Sequence, residues 1–466
     1  MDIVNTKANS IQANGPLESQ TVLAKIDALL DRFTHFGVEL GLERIQRLLI
    51  SLGNPQQQVP ILHVAGSNGK GSVCAYLSSV LTEAGYRVGR YTSPHLISWC
   101  ERICLNQHDI SPLELYQLLQ RVVAAIQTEY PSPTQFEVIT AAAWLYFAER
   151  QVDIAVIEVG LGGRLDATNV CDRPLVSIIT SLSREHWQKL GPTLADITRE
   201  KAGILKPNCP AIIAPQPAES IAVLQRRLTE LNCPVVWVQP SVELQPGWAE
   251  FSGKVQAPQT DEMNTSASLL PAPSFLLHSL QYSLPLPGLH QLTNSALAIA
   301  TLQVLQQQGW NVSEAQIAQG IAKTQWQGRL QWFEWQQRSI LIDGAHNPAG
   351  AAMLRHYVDH SDRVTHPICW VMGMIATKDH ADVFQALLRS GDSLILVPVP
   401  DHLSADLNSL ATLALEICPD LNRCEIQPDV IAGLKTANQL HQQETATSVL
   451  CGSLYLIGHF FKLVAS

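Results

Sequence analysis

A glycine-rich turn between a strand and a helix is the first feature of this chain that could do chemistry. Residues 63–72 read HVAGSNGKGS, and an apolar helical stretch follows them. The backbone N–H groups of such a turn cradle phosphate oxygens at the start of a helix, and a lysine adds a positive charge. A nucleotide-phosphate site is therefore predicted over Gly66, Ser67, Asn68, Gly69, Lys70, Gly71 and Ser72.

The spacing of this loop differs from that of the standard P-loop. In that motif a glycine lies five residues before the glycine of the Gly-Lys pair, and Val64 occupies that position here. The alternative interpretation is an ordinary glycine-rich turn. The run Gly-Lys-Gly-Ser, placed between a strand and a helix, favours the nucleotide site.

Polar side chains also follow other apolar strands, at the edge where doubly wound sheets bind ligands. Ser93 lies in YTSPHL, Glu158 opens EVGLGGRLDATN, and Asp343 and His346 lie in LIDGAHNPAG. Glu158 is a natural Mg²⁺ ligand because magnesium prefers hard oxygen donors. Taken one at a time, these stretches could also be turns, helix caps or surface ion pairs.

The stretch 183–207 contains His186 and Lys201. Neither residue stands out by its type alone, because single histidines and lysines are usually structural or solvated. Imidazole is also not a preferred magnesium ligand. Residue chemistry alone assigns no function to this stretch.

Composition narrows the class of protein. With 466 residues, 46% of them hydrophobic and 15% charged, the chain is too long for one core. A net charge of −10 and the lack of a basic run argue against a nucleic-acid partner. The ten cysteines follow no metal or disulfide spacing, and no apolar run reaches the ~18 residues that span a bilayer. We therefore expect a soluble cytoplasmic protein with no membrane partner.

Short apolar strands alternate with amphipathic helices, which predicts an α/β fold with a largely parallel sheet. The polar residues 1–18 are predicted to be a disordered tail, and the Pro- and Ser-rich stretch 240–274 an irregular insertion. A new strand–helix alternation begins near WQGRLQWFEW at 326–335. The predicted domains are 19–326 and 327–466.

The motifs together are far more specific than any one of them. In chain order they are HVAGSNGKGS, YTSPHL, ERI, FEVITAAAW, EVGLGGRLDATN, REKAGI, LPGLHQLTN, GRLQ and DGAHNP. This order resembles the folylpolyglutamate synthase/dihydrofolate synthase family of Mur-ligase-like ATP-dependent amide ligases. The resemblance implies a P-loop-type ATPase domain with a mostly parallel sheet, followed by a smaller Rossmann-like α/β domain that helps bind glutamate.

The resemblance also implies ATP and Mg²⁺ as cofactors, and a folate or dihydropteroate and L-glutamate as small-molecule substrates. ATP would additionally contact Asn294, Arg329 and Asp343. Magnesium ligands would be Ser93, Glu158 and His186, joined by Lys201 if it is carbamylated. Carbamylation makes physical sense because it turns an ammonium into an oxygen ligand.

Substrate contacts carry over in the same way. The pterin side of the substrate would meet Thr134, Gln135, Phe136, Glu137, Leu165, Asp166 and Ala167. The incoming glutamate would lie near His346 and Ser453. Catalytic roles fall on Lys70, Lys201 and His346, the last as a possible base for the glutamate ammonium.

This chain departs from the family's pattern before the REKAGI motif. The family often has Leu-Asp-His-Thr-Asp-Trp there, whereas residues 184–189 read REHWQK, so His186 aligns but its acidic neighbour is Glu185. The stretch 240–274 is also longer and more polar than the family needs.

The implied reaction is ligation through an acyl phosphate, with charge neutralisation as the main task of the site. A sister Mur-type ligase acting on a cell-wall precursor or a peptide polymer is the alternative, since it would share the phosphate loop and Lys201. A switch or transport ATPase is disfavoured by the loop spacing. We expect a monomer, and the sequence leaves open whether one or both folate activities are present.

Overall fold

The computed structural model describes residues 16–34, 39–254, 275–400, 403–440 and 446–465 of the chain. Two α/β units follow one another, and each is built on a mostly parallel sheet. A small antiparallel sheet is attached to the first unit. This architecture confirms the α/β fold that the strand–helix alternation predicts.

The first sheet has eight strands in the order β4-β3-β2-β5-β1-β6-β7-β8. They are β1 (Ile61–Ala65), β2 (Val88–Tyr91), β3 (Ile103–Leu105), β4 (His108–Asp109), β5 (Ile154–Glu158), β6 (Val176–Ile179), β7 (Ala211–Ile213) and β8 (Val235–Trp237). Neighbours from β2 to β8 are parallel, while β3 and β4 form an antiparallel edge. Strands β1 and β5 are buried along their whole length, as expected where helices cover both faces.

Helices cover both faces of this sheet. They are α1 (Pro16–Asp31), α2 (Glu43–Ser51), α3 (Lys70–Glu83), α4 (Pro112–Ala124), α5 (Gln135–Glu149), α6 (Trp187–Leu190), α7 (Leu194–Lys201), α8 (Ala218–Glu230), α9 (His290–Gln307) and α10 (Glu314–Ala322). Leu62 and Val64 of β1 pack in one core with α3, α9 and α10. Ile61 packs in a second core with α1, α2, α4 and α5, because successive strand residues face opposite sides.

The predicted tail at residues 1–18 overlaps helix α1. Residues 1–15 lie outside the described residues, but helix α1 already begins at Pro16, so the last three residues of the predicted tail are helical. Short 3₁₀ helices connect other elements of this unit at Pro55–Gln58, Trp99–Arg102 and Ala202–Ile204.

The prediction of an irregular insertion at 240–274 is wrong over its first part. Strands β9 (Val242–Gln245) and β10 (Trp248–Phe251) form a hairpin there, and β11 (Leu280–Ser283) completes an antiparallel sheet. The Pro-Gly pair that suggests a loop is the hairpin turn itself, in which Gly247 has a φ of 78°. Residues 255–274 lie outside the described residues.

The second unit has a six-stranded sheet in the order β12-β13-β17-β14-β15-β16. Its strands are β12 (Gln331–Trp335), β13 (Arg338–Ile342), β14 (Ile368–Met372), β15 (Ser393–Leu396), β16 (Arg423–Ile426) and β17 (Thr447–Cys451). Its helices are α11 (Pro348–His360), α12 (His380–Leu387), α13 (Leu407–Ile417), α14 (Val430–Leu440) and α15 (Leu454–Ala465). The strands are parallel except for β12, which pairs antiparallel with β13. Of all these described helices, none is long and apolar enough to cross a membrane.

The two units touch where the loop after β2 meets helix α15. Both carboxylate oxygens of Glu101 accept backbone N–H groups of residues 96–98 at 2.7–2.8 Å and so hold this loop in shape. The backbone of Leu96 lies directly against Gly458. A Cβ atom at Gly458 would be 1.7 Å from the Leu96 carbonyl oxygen, so glycine is required at this contact.

We expect Gly458→Ala to destabilise the protein, because the added methyl group must push the two units apart. Overpacking of this kind typically costs about 1–3 kcal/mol. Urea-induced unfolding of the variant and of the wild type measures the loss. An unchanged unfolding midpoint would contradict the close contact with Leu96.

Candidate active site

A cavity of about 600 Å³ opens at the carboxyl ends of β1, β2, β5 and β6 and is closed on its other side by the second unit. Its volume is typical of a small-molecule site. The predicted site residues on its wall are Ser67, Asn68, Gly69, Lys70, Gly71, Ser72, Ser93, Glu158, His186, Lys201, Asn294, Arg329, Asp343 and His346. The cavity therefore brings together residues that lie up to hundreds of positions apart in the chain.

The phosphate loop runs from the end of β1 to the start of α3. Gly69 precedes the helix with a φ of 91°, a conformation that favours glycine. The Lys70 ammonium donates to the carbonyl oxygens of Gly66 at 2.9 Å and Ser67 at 3.0 Å, which folds its side chain across the loop. A Cβ atom at Gly69 would lie 2.3 Å from Oδ1 of Asn294, so α9 packs closely against the turn.

The second unit reaches the phosphate loop through Asn347. Its Nδ2 donates to Oδ1 of Asn68 at 3.0 Å, while its own Oδ1 accepts the N–H of Gly350 and caps helix α11. A second contact lies nearby, where Nε1 of Trp187 donates to Oδ1 of Asp379 at 3.2 Å. From the sequence, Asn347 could simply be a cap or turn residue, and the structure adds the contact between the units.

Glu158 lies at the end of β5 and is buried below the phosphate loop. It accepts the backbone N–H of Ser93 at 3.2 Å. Burial raises the pKa of Glu158, and the positive charge of Lys70 opposes that rise. A buried carboxylate beside a phosphate loop is well suited to share a cation with the ligand.

Glu158, Ser93 and His186 fit magnesium in the mode that it uses with nucleotides. Within the described residues, no three His, Cys, Asp or Glu side chains form a ready-made metal cluster. Mg²⁺ usually binds through one or two carboxylates, water and substrate phosphates rather than through a complete protein cage. A single carboxylate with a serine beside it meets that requirement, and His186 opens onto the same cavity.

Lys201 and Glu185 form a buried ion pair beneath the loop. The lysine Nζ donates to Oε1 of Glu185 at 2.8 Å and to the carbonyl oxygen of Gly66 at 2.7 Å. Burial lowers the pKa of Lys201, while the Glu185 carboxylate opposes the shift. The glutamate that departs from the family's pattern is therefore the partner of the REKAGI lysine.

Arg329 and Asp343 lie where the linker enters the second unit. Asp343 accepts the N–H groups of Leu330 at 2.9 Å and Ala345 at 2.8 Å. Burial raises the pKa of Asp343, and the charge of Arg329 opposes that rise. A Cβ atom at Gly344 would lie 2.4 Å from Nη1 of Arg329, so the turn after β13 packs against the guanidinium.

His346 is neutral in this cavity, because burial lowers its pKa to about 3. Its Nδ1 lies 2.8 Å from the carbonyl oxygen of Gly344. A carbonyl can only accept, so Nδ1 carries the proton and Nε2 keeps its lone pair. The unprotonated Nε2 can therefore accept a hydrogen bond from a ligand, while the low pKa makes the imidazole a weak base.

The residues predicted for the pterin side lie behind the wall of the cavity. Thr134 and Glu137 form a capping box at the start of α5, and Glu137 also pairs with Arg44 at 3.0 Å. Phe136 packs over Gly160, which does line the cavity, and a Cβ atom there would be 2.4 Å from the ring. Gln135 is the first residue of the same helix.

The other predicted substrate residues are also set back from the cavity. Asp166 is buried and accepts the N–H groups of Leu161 and Thr168, and it lies between Leu165 and Ala167. Ser453 is buried and its Oγ accepts the N–H of Tyr455 at 3.2 Å. The residue after it, Leu454, lines the cavity.

Sequence motifs do not point to Lys378. It follows β14 in the second unit, and its positive charge interacts with Glu185, His186 and His346. Desolvation lowers the pKa of Lys378, with Glu185 opposing. No motif surrounds it, and the one available signal is its place after the carboxyl end of a parallel strand.

Two family models match the chain. Residues 64–302 match the Mur ligase middle domain, and residues 329–463 match the C-terminal domain of dihydrofolate synthetase. Residues 303–328, which include the end of α9 and the whole of α10, lie between the two matches.

Curated relatives match over most of their length. The dihydrofolate synthetase of Saccharomyces cerevisiae is 33% identical over 91% of this chain and 98% of the relative. The dihydrofolate synthase/folylpolyglutamate synthase of Escherichia coli is 31% identical over 92% of both.

Solved structures agree with the sequence relatives. Folylpolyglutamate synthase of Mycobacterium tuberculosis, complexed with ADP and AMPPCP, superposes with a TM-score of 0.82 at 29% identity over 96% of this chain and 99% of that one. E. coli FolC in complex with DHPP and ADP superposes with a TM-score of 0.75 at 27% identity, over 95% of this chain and 97% of that one.

We expect Gly69→Ala to lower ADP affinity by about tenfold or more, because the new Cβ atom strains the turn and displaces Asn294. Gly85→Ala is a matched control. Gly85 has a φ of 90°, nearly that of Gly69, but no atom lies within 4 Å of its added Cβ. Isothermal titration with ADP compares the two variants, and equal affinities would contradict the role of the Gly69 turn.

Proposed function

Because this chain belongs to the folylpolyglutamate synthase/dihydrofolate synthase family, we propose that the cavity between its two units is where ATP drives the ligation. The chain is an ATP-dependent ligase that adds glutamate to a folate. One observation supports this location above all others. Lys70 and Asn294 from the first unit line the same cavity as Asp343 and His346 from the second.

Amide formation needs an activated carboxylate, since a free carboxylate is a poor electrophile. The folate carboxylate attacks the γ-phosphate of ATP, which gives an acyl phosphate and ADP. The amine of L-glutamate then attacks the acyl carbon, and inorganic phosphate leaves. Both steps gather negative charge, so positioning and charge neutralisation carry the catalysis. Lys70 and Arg329 supply two positive charges at the cavity wall.

Ser93, Glu158 and His186 would hold magnesium, which would neutralise phosphate oxygens when it is bound. Lys201 would add an oxygen ligand after carbamylation, because its burial favours the neutral amine that reacts with CO₂. In the unmodified state Lys201 instead joins Glu185 to the carbonyl of Gly66. Lys201 would then hold the phosphate loop when it is unmodified and bind the metal when it is carbamylated.

We assign His346 to the amine of the incoming glutamate, which can donate a hydrogen bond to it. Its unprotonated Nε2 and its place on the cavity wall support this role. Leu454 lines the cavity, and the buried Ser453 that precedes it would lie close to the incoming glutamate.

We assign both acceptors to this chain, dihydropteroate and reduced folate. The C-terminal match to dihydrofolate synthetase and the nearly full-length match to the yeast synthetase support the first. The match to bifunctional bacterial relatives supports the second. A monomer is sufficient for either reaction, because one chain supplies every residue of the cavity wall named above.

We expect Lys70→Ala to lose ATP-dependent ligation with both acceptors, since the phosphate site loses its positive charge. Phosphate release is measured with dihydropteroate or tetrahydrofolate, ATP and L-glutamate. Lys254→Ala, which changes an exposed lysine elsewhere, serves as the control. Near-normal turnover of Lys70→Ala would contradict the phosphate site, and a wild type that used only one acceptor would restrict the proposal to that activity.

We expect Lys201→Ala to lose at least about 100-fold in turnover, in line with the cost of removing a charged group from a catalytic site. Acetate or formate should restore part of the rate by supplying the missing carboxylate. Lys201→Arg retains a cation for Glu185 but cannot be carbamylated. Full activity of Lys201→Arg would contradict the carbamate.

A further inference from the structure

A smaller cavity of about 160 Å³ lies beside the ligase cavity, between the loop after β2 and the linker after α10. Pro94, Arg329 and Leu454 line both cavities, so the smaller one is a side chamber of the larger. One water occupies about 30 Å³ in the liquid. The side chamber is therefore large enough for a charged group of a substrate.

Arg90 of β2 lines the side chamber although only 8% of it is exposed to solvent. Its Nη1 donates to Oε1 of Gln107 at 3.2 Å, and its guanidinium carbon lies 5.1 Å from the centroid of the Trp326 ring. The Nε atom is buried and has no hydrogen-bond partner among the described residues. Within the described residues, no carboxylate forms an ion pair with Arg90. A buried positive charge without an anion is costly, so this arrangement favours an anionic ligand.

The other charges of the side chamber do not supply that anion. Glu101 already accepts three backbone N–H groups, and Asp109 is exposed. Lys323 pairs with Glu83 at 2.7 Å, and Arg329 adds a further positive charge to the wall. The wall thus carries both signs of charge, and Arg90 is the buried cation that no carboxylate of the wall pairs with among the described residues.

We propose that the side chamber binds the α-carboxylate of a glutamate, with Arg90 as its main contact. The Nε and Nη2 atoms of an arginine form a fork that matches the two oxygens of a carboxylate. The inference rests on the proposed function, which provides two sources of this group. One is free L-glutamate, and the other is the terminal glutamyl residue of a folate, whose reacting γ-carboxylate is only three carbons from its α-carboxylate.

Two substitutions test the side chamber from different directions. Arg90→Gln removes the cation, and Gln325→Glu adds a negative charge at an exposed position of the wall without disturbing a buried contact. Each should raise the KM of the substrate that supplies the carboxylate by about tenfold or more, with kcat nearly unchanged. Arg121→Gln, at an exposed arginine that pairs with Glu149, is the matched control and should leave both constants unchanged.

The choice of acceptor separates the two sources. Dihydropteroate has no glutamyl group, so a raised KM for L-glutamate with this acceptor assigns the chamber to free glutamate. A raised KM for tetrahydrofolate, with that for L-glutamate unchanged, assigns it to the folate's terminal residue. Unchanged KM values in Gln325→Glu and in an Arg90→Gln protein that binds ADP normally would overturn the inference. A wild type that ligates neither acceptor would instead contradict the proposed function.

Discussion

The buried ion pair of Lys201 and Glu185 is the interaction on which the rest of the site depends. Both side chains are almost completely enclosed, and the lysine also donates to Gly66 at the first turn of the phosphate loop. Removing one partner of a buried pair leaves an uncompensated charge, which is far more costly than losing a surface pair. Through Lys201 at the end of α7, the pair links the segment after β6, which carries Glu185, to the phosphate loop after β1.

The second unit completes the site through contacts of a different kind. Among the described residues, the units meet through the hydrogen bond from Asn347 to Asn68, the close backbone approach at Gly458, and the packing of Leu96 and Ile97 against the core of the second unit. Interfaces between domains of one chain usually permit relative motion. A site made in this way gains its last residues, Asp343 and His346, only when the two units are docked.

Local patterns explain which parts the sequence could predict. The strand–turn–helix around Lys70 and the carboxylate at the tip of β5 are contiguous in sequence, so residue types and spacing are sufficient for both. Lys201, Lys378 and Arg90 gain their meaning only from neighbours that are distant in the chain, and resemblance to a family supplied the first of them. The hairpin at 242–251 could not be predicted from the sequence, because its turn residues, Pro246 and Gly247, are also typical of loops. Tertiary proximity, which no local pattern encodes, accounts for the rest.

The capping box of helix α5 affects how genetic data at this site are to be interpreted. Thr134 and Glu137 close the N-terminus of the helix through their own side chains, and Glu137 is in addition tied to Arg44. Loss of an N-cap typically costs about 1 kcal/mol of stability, whatever the ligand does. A loss-of-function allele at either position therefore has two origins, a loosened helix and a poorer fit for the substrate. Abundance of the protein in the cell and affinity of the purified protein must be scored separately before either position is counted as a substrate contact.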